Sequence, residues 1–138
     1  MKNQSNLFKN KRKSFKISKN VFISFRYAFS GINYAFKYSR NFKIQVLFAF
    51  FSLILGYLLQ INKSDYVILI ATIMSVLILE VLNTSIESLV DLVVKKKFSN
   101  LARITKDSSA GAVLLASINS LIIAVFIFIP KIKLLFLN

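Results

Sequence analysis

Residues 80–91 end a long apolar run and read Glu80-Val81-Leu82-Asn83-Thr84-Ser85-Ile86-Glu87-Ser88-Leu89-Val90-Asp91. The protein has five acidic residues, and three of them lie in this stretch. Side chains three or four residues apart share one face of a helix, and that face here carries Glu80, Asn83, Thr84, Glu87 and Asp91. Ionisable side chains at membrane depth are costly and usually face a polar site or the interior of a helical bundle. We therefore expect the chemistry of the protein on this face.

Composition and the spacing of apolar runs indicate a membrane protein. Hydrophobic residues make up 56% of the 138 residues, which is above the usual content of soluble domains. Three apolar runs, at about 44–61, 66–94 and 107–129, are each long enough to cross a bilayer as a helix. Pro130 follows the last run, and we expect it to stop that helix. The sequence thus predicts an all-α integral membrane fold with three transmembrane helices, in a single domain over residues 21–138.

The basic residues predict how the chain is oriented. The formal net charge is +14, and eleven Lys and Arg lie in residues 1–43 and five in 95–107, against one in 62–65 and two in 131–133. Because cytoplasmic segments of membrane proteins are enriched in Lys and Arg, the N-terminus and the 95–107 loop are predicted to be cytoplasmic. The basic clusters alternate with apolar runs, so the charge is explained by membrane topology rather than by nucleic-acid binding.

The first 38 residues contain two predicted segments. Residues 1–20 form a basic cytoplasmic tail, which either stays disordered or attaches to anionic lipid headgroups. Residues 21–38 place Phe22, Phe25, Phe29 and Phe36 at helical spacings between polar residues, which predicts an amphipathic helix at the membrane surface. This surface helix could serve as an anchor or form a wall of the active site, and the two roles are compatible.

A small residue occupies every fourth position at the start of the third predicted span. The positions are Ser108, Ala112, Ala116 and Ser120. Such a stripe permits close packing of helices in lipid. It is expected to serve either packing within the chain or assembly of an oligomer.

The available side chains restrict the chemistry to carboxylates, because the chain contains neither Cys nor His. Glu87 and Asp91 are one helical turn apart and suited to a divalent cation such as Mg²⁺. Glu80, two turns deeper among apolar residues, is suited to act as a general base. Lys106 follows the basic loop and could contact phosphate oxygens. Together, these carboxylates and Lys106 indicate phosphoryl transfer from a nucleotide to a lipid hydroxyl. The alternative is that these charged residues only form salt bridges at a helix end.

The central motif resembles the small bacterial integral-membrane diacylglycerol kinases and their undecaprenol kinase relatives. The resemblance rests on residues 80–87 with Val90-Asp91, and it is extended by Ala102-Arg103-Ile104-Thr105-Lys106-Asp107-Ser108-Ser109-Ala110-Gly111-Ala112-Val113. Weaker agreement comes from residues 24–32 and 40–44. The similarity covers about residues 20–130.

The resemblance implies a surface helix and three transmembrane helices per chain, assembled in the bacterial inner membrane as a homotrimer with composite active sites. It implies ATP as the phosphoryl donor, Mg²⁺ as the metal, and diacylglycerol or undecaprenol as the lipid substrate. By matching position, Glu80 is the expected catalytic base and Glu87 the expected Mg²⁺ ligand. The other expected nucleotide-site residues are Asn83, Asp91, Lys106, Asp107 and, by a weaker match, Tyr27.

One position departs from the family pattern. A second metal-binding glutamate usually precedes the segment that is Arg40-Asn41-Phe42-Lys43 here, and this chain has Ser39 at that position. A serine hydroxyl can ligate Mg²⁺ but brings no negative charge, so we expect weaker metal binding and a retained activity. The alternative is a non-catalytic membrane protein that binds lipid or acts as a scaffold.

Overall fold

The computed structural model describes residues 21–95 and 97–137, and all regular structure in them is helical. The helices are α1 (Val21–Tyr38), α2 (Arg40–Leu58), α3 (Lys63–Val94) and α4 (Asn100–Leu137). Among the described residues, α2, α3 and α4 are long and apolar enough to cross a membrane. The predictions of an all-α fold and of three such spans are therefore confirmed. The predicted basic tail, residues 1–20, lies outside the described residues.

Each of the three long helices begins before the apolar run from which it was predicted, while α2 ends at Leu58, three residues before the end of its run. Helix α3 has 32 residues, which corresponds to about 48 Å at the usual rise per residue. Helix α4 begins at Asn100 rather than near Asp107. The hydroxyl of Ser99 accepts a hydrogen bond from the backbone N–H of Ala102, so Ser99 supports the first turn of α4. Polar residues at the helix ends add length that hydrophobicity alone does not indicate.

The prediction that Pro130 stops the last helix is wrong, because α4 continues through it. Proline removes one backbone hydrogen bond and crowds the carbonyl four residues earlier. In membrane helices this interruption is tolerated, since neighbouring helices and local adjustments satisfy the freed backbone groups. The apolar sequence Ile132 to Phe136, interrupted only by Lys133, lets the helix continue after the proline.

Helix α2 ends in a tight turn that leads into α3. Gln60 adopts a left-handed conformation with φ 48°. Its N–H bonds the Tyr57 carbonyl, and the N–H of Ile61 bonds the Gly56 carbonyl. This pair of bonds defines a Schellman motif, which satisfies the last carbonyls of the helix. A Cβ on Gly56 would lie 3.0 Å from the Ile61 side chain, so glycine at this position lets Ile61 fold back onto the end of α2.

Helix α3 packs against both α2 and α4. A buried apolar cluster of Ile61, Leu69, Ile127 and Phe128 joins the turn to the N-terminal half of α3 and the C-terminal part of α4. This cluster holds the end of α3 that carries Asp65. The opposite end of α3, with Glu80 to Asp91, is left for polar contacts.

The chain divides into two compact units, residues 1–33 and 34–138. In the first, the described residues 21–33 are helical and their large apolar side chains are exposed. The second contains the end of α1 and the three long helices. The location of residues 21–38 at a membrane surface stays a prediction.

Candidate active site

A cavity of about 330 Å³ lies beside the C-terminal half of α3. Residues from the end of α1, the start of α2 and one face of α3 line it. The lining residues are Tyr34, Tyr38, Ser39, Arg40, Asn41, Glu80, Asn83, Thr84, Glu87, Ser88 and Asp91. All five residues that helical spacing predicts to share a face are in this lining, so the predicted face exists and borders a cavity.

Glu80 is the most enclosed charged side chain of the site, with 2% of its surface exposed. The Ser39 hydroxyl donates a hydrogen bond of 2.7 Å to Glu80 Oε1. From a position further along α2, the Gln45 amide Nε2 donates one of 3.3 Å to Glu80 Oε2. Each carboxylate oxygen thus has a donor, which a buried charged group requires.

Ser39 occupies the break between α1 and α2. Its backbone is extended, with φ −85° and ψ 120°, and its hydroxyl accepts the backbone N–H of Phe42 at 3.1 Å. This is an N-cap of α2, the role for which serine is strongly preferred. The same hydroxyl therefore starts α2 and contacts Glu80.

Asn83 links α3 to α4 at the centre of the site and is 6% exposed. Its Nδ2 donates to Glu87 Oε1 at 3.0 Å, while its Oδ1 accepts from the Ser109 hydroxyl at 2.6 Å. The Glu87 carboxylate fixes which end of the Asn83 amide faces it, because a carboxylate can only accept. The single proton of the Ser109 hydroxyl is shared between Asn83 Oδ1 and the Lys106 carbonyl, which lies 2.9 Å away. Ser109, Asn83 and Glu87 thus form one directed hydrogen-bond chain.

Asp91 and Lys106 pair at the end of α3, with 2.6 Å between Asp91 Oδ1 and Lys106 Nζ. Asp107 is paired elsewhere, at 3.9 Å from the Arg103 guanidinium, and both of those side chains are largely exposed. Such an exposed pair contributes little to stability. Lys106 is thus paired with Asp91, which lines the cavity, but neither Lys106 nor Asp107 belongs to the described lining.

Tyr27 lies on α1 in the unit of residues 1–33, and 66% of its surface is exposed. The described lining of the cavity does not include it. Its assignment to the nucleotide site stays a prediction.

The acidic residues of the cavity fit a metal ion that arrives with phosphate oxygens. Among the described residues, no three His, Cys, Asp or Glu side chains form a group able to hold a metal. Glu87 and Asp91 nevertheless border the same cavity. Mg²⁺ is commonly held by one or two carboxylates, with water and substrate phosphates completing its octahedron. Glu87 and Asp91 suit this binding mode.

Sequence reasoning missed Gln45, which contacts Glu80, and gave no role to Ser109. The signal for Gln45 was an amide at the second position of a predicted span that contains no charged residue. Ser109 lay inside a recognised motif, but nothing in its spacing shows that it faces Asn83. Tyr34 and Tyr38 also border the cavity, with ring centroids 4.6 Å apart.

The described residues form a helical fold in which three helices are long and apolar enough to cross a membrane, and one of them carries a buried glutamate beside a polar cavity. These features define a membrane protein with a candidate active site. Residues 26–128 match the family model for prokaryotic diacylglycerol kinase. The chain belongs to this family.

Two relatives share similar levels of identity with the chain. It is 38% identical over 120 residues to the diacylglycerol kinase of Synechocystis sp., a match that covers 87% of this chain and 69% of that protein. It is also 38% identical over 110 residues to the undecaprenol kinase of Bacillus subtilis, covering 80% of this chain and 89% of that protein. Both relatives are named kinases, which supports a lipid kinase.

Proposed function

We propose that the protein is an ATP-dependent lipid kinase that phosphorylates the hydroxyl of diacylglycerol or of undecaprenol at the cytoplasmic face of the inner membrane. The observation that carries this proposal is the buried Glu80 carboxylate, held by Ser39 and Gln45 beside a cavity with polar residues. A structural salt bridge would place a cation next to Glu80. Its hydrogen-bond partners are instead a hydroxyl and an amide.

In the proposed reaction, Glu80 accepts the proton of the lipid hydroxyl while that oxygen attacks the γ-phosphorus of ATP. The bond between the γ-phosphorus and the β,γ-bridging oxygen breaks, and ADP leaves. Phosphoryl transfer depends mainly on positioning and on neutralising charge. The donors on both oxygens of Glu80 orient its carboxylate before substrate binds, which suits this requirement.

The nucleotide is proposed to bind along the outer part of the α3 face. Glu87 and Asp91 would hold Mg²⁺, which neutralises charge on the transferred phosphate. Asn83 orients Glu87 through its 3.0 Å hydrogen bond. Asp91 holds Lys106 near the cavity, so that the ammonium can meet a phosphate oxygen. Asp107 and Tyr27 are assigned to the nucleotide site by resemblance alone.

The lipid is proposed to approach from the bilayer side of Glu80. A second cavity, of about 290 Å³, is lined by residues of α2, α3 and α4 that are mostly apolar, and Gln45 is one of them. Because Gln45 also contacts Glu80, a lipid chain in this groove would bring its terminal hydroxyl close to the proposed base. Both candidate lipids have a long apolar body and one terminal hydroxyl, so either fits this chemistry.

The chain is proposed to assemble as a homotrimer with the α3–α4 loop in the cytoplasm. The excess of basic residues in 1–43 and 95–107 supports this orientation. It places the Glu80–Asp91 end of α3 near the cytoplasmic interface, where ATP is available.

The proposal is tested with purified protein in mixed micelles supplied with Mg-ATP and with both lipids. We expect phosphate in the lipid fraction, and the lipid that reaches the higher kcat/KM is the substrate. Folded trimer that phosphorylates neither lipid would contradict the proposal and favour a non-catalytic lipid-binding scaffold.

A further inference from the structure

We propose that Ser39 is a positioning residue for the base Glu80 and does not act as a metal ligand in this chain. The inference rests on the proposed function, since it assigns Glu80 the role of base. It replaces the expectation that Ser39 weakly substitutes for a metal-binding carboxylate.

The contacts of Ser39 fix its hydroxyl in one orientation. The Ser39 backbone N–H donates to the Ala35 carbonyl at 2.8 Å, which ties the residue to the last turn of α1. The hydroxyl oxygen accepts from the Phe42 N–H at 3.1 Å. Its single proton is donated to Glu80 Oε1 at 2.7 Å. With one lone pair and the proton in use, the hydroxyl has a defined task directed at Glu80.

Gln45 completes the arrangement at the other carboxylate oxygen. Its amide nitrogen faces Glu80 Oε2, while its own Oε1 is buried without a hydrogen-bond partner in the structure. Reversing the amide would put two acceptors together, so the carboxylate dictates this orientation. Hydrogen bonds to charged groups are stronger than neutral ones, which explains why the amide nitrogen is directed at Glu80. Two donors, one at the N-cap of α2 and one within α2, therefore fix the plane of the carboxylate on α3.

In this geometry, the side chain at position 39 must donate a hydrogen bond in order to orient the Glu80 carboxylate. A carboxylate there would oppose the Glu80 carboxylate with an acceptor and a like charge. If Ser39 were a metal ligand, a carboxylate at position 39 would favour activity, because the added negative charge would strengthen Mg²⁺ binding. The two roles thus predict opposite effects of the same substitution.

Kinetics of three variants at position 39 separate the roles. Ser39→Ala removes both donor and cap, Ser39→Thr keeps both, and Ser39→Asp keeps a good N-cap but cannot donate when ionised. We expect kcat to fall about tenfold in Ser39→Ala, as for loss of a hydrogen bond to a charged group. It should fall at least as far in Ser39→Asp and be largely restored in Ser39→Thr. The Mg²⁺ concentration for half-maximal rate should stay unchanged in Ser39→Ala.

A lower Mg²⁺ requirement with retained kcat in Ser39→Asp would overturn the proposal. A Ser39→Ala variant with the kcat of the wild type would overturn it as well. A fall in kcat for Ser39→Ala but not for Ser39→Asp would assign the effect to the helix cap instead of to Glu80.

Infrared spectroscopy provides a readout that does not depend on activity. The chain contains only two glutamates, Glu80 and Glu87, so glutamate labelled with ¹³C at the side-chain carboxyl carbon reports these two carboxylates alone. We expect Ser39→Ala to shift the bands of one carboxylate and leave those of the other in place. Ser75→Ala, which removes an exposed hydroxyl bonded to its own helix, is the control and should shift neither.

The two measurements distinguish failure of this inference from failure of the proposed function. An active wild type without a band shift in Ser39→Ala would overturn the positioning role alone. An inactive wild type would overturn the proposed function and the kinetic role of Ser39 together. A band shift in that inactive protein would confirm the hydrogen bond between Ser39 and Glu80 but would give it no role in catalysis.

Discussion

Asn83 shows how a single side chain organises the site. It accepts from Ser109 on α4 and donates to Glu87 on α3. Loss of the Ser109 hydroxyl would leave a buried amide oxygen without its donor and free the amide to turn. Glu87 would then lose a fixed partner although neither Glu87 nor Asn83 had been changed.

We predict that Ser109→Ala lowers kcat/KM for Mg-ATP by about fivefold to tenfold, equivalent to about 1 kcal/mol for one hydrogen bond. The measurement is the initial rate at varied Mg-ATP with saturating lipid. Ser85→Ala is the matched control, because its hydroxyl is exposed and bonds a carbonyl of its own helix. Equal rates in the two variants would contradict the role given to Ser109.

Residue patterns predict the α3 face but do not predict its partners. Glu80, Asn83, Glu87 and Asp91 share a face because helical periodicity is local, and this follows from spacing alone. The Ser39–Glu80 bond joins residues 41 positions apart. Nothing in the sequence of α2 shows which of its residues faces α3, so this contact required the structure.

At the scale of helices and turns, the α2–α3 connection contains a strained residue. Gln60 has a left-handed backbone at the position of a Schellman motif where glycine is preferred. Burial of Ile61 in the cluster with Leu69 offsets this strain, because the turn directs the Ile61 side chain into that cluster.

We predict that Gln60→Gly stabilises the protein by about 1 kcal/mol, because glycine adopts the left-handed conformation without a Cβ penalty. Gln60→Ala removes the same exposed side chain but keeps the Cβ, so it should not stabilise. Thermal unfolding in detergent micelles measures both. An equal rise in Tm for the two variants would show that backbone strain at residue 60 is not the cause.

Helix ends were less predictable than helix cores for a physical reason. Apolar runs locate the segments that require burial in lipid, whereas polar first turns and caps such as Ser99 extend the helix beyond them. Pro130 predicts a helix end where none exists, because proline, a strong local helix breaker, is tolerated inside this apolar segment. Local propensity is a weak guide where the surrounding medium favours a continuous helix.

At the scale of the whole molecule, the two ends of α3 have different tasks. The end near Leu69 packs into the apolar cluster, and the end near Asp91 carries the polar cavity. A helix of 32 residues is about 48 Å long, which exceeds the thickness of the hydrocarbon core, roughly 30 Å. In the proposed orientation, this excess length would allow the site to reach the interface while the packed end stays in lipid.

We predict that Ala112→Leu weakens the proposed homotrimer, because Ala112 belongs to the small-residue stripe of α4 and is exposed in the single chain. Ala110→Leu adds the same volume at another exposed position of α4 and serves as the control. Native mass spectrometry from micelles should show three copies of the 15.7 kDa chain for the wild type and for Ala110→Leu. An intact trimer in Ala112→Leu would exclude this stripe from the interface.

Glu80 is the proposed base of a phosphoryl transfer to lipid, and labelled phosphate tests this role most directly. Wild type and Glu80→Gln would be given ATP labelled at the γ-phosphate together with the preferred lipid, and label extracted with the lipid would be counted. Asp65→Asn removes a carboxylate from the first turn of α3 and is the control. We predict that Glu80→Gln loses about 100-fold or more of the transfer rate, as for removal of a general base, while it still assembles and Asp65→Asn retains activity. Full transfer by Glu80→Gln would contradict the role of Glu80 as the base.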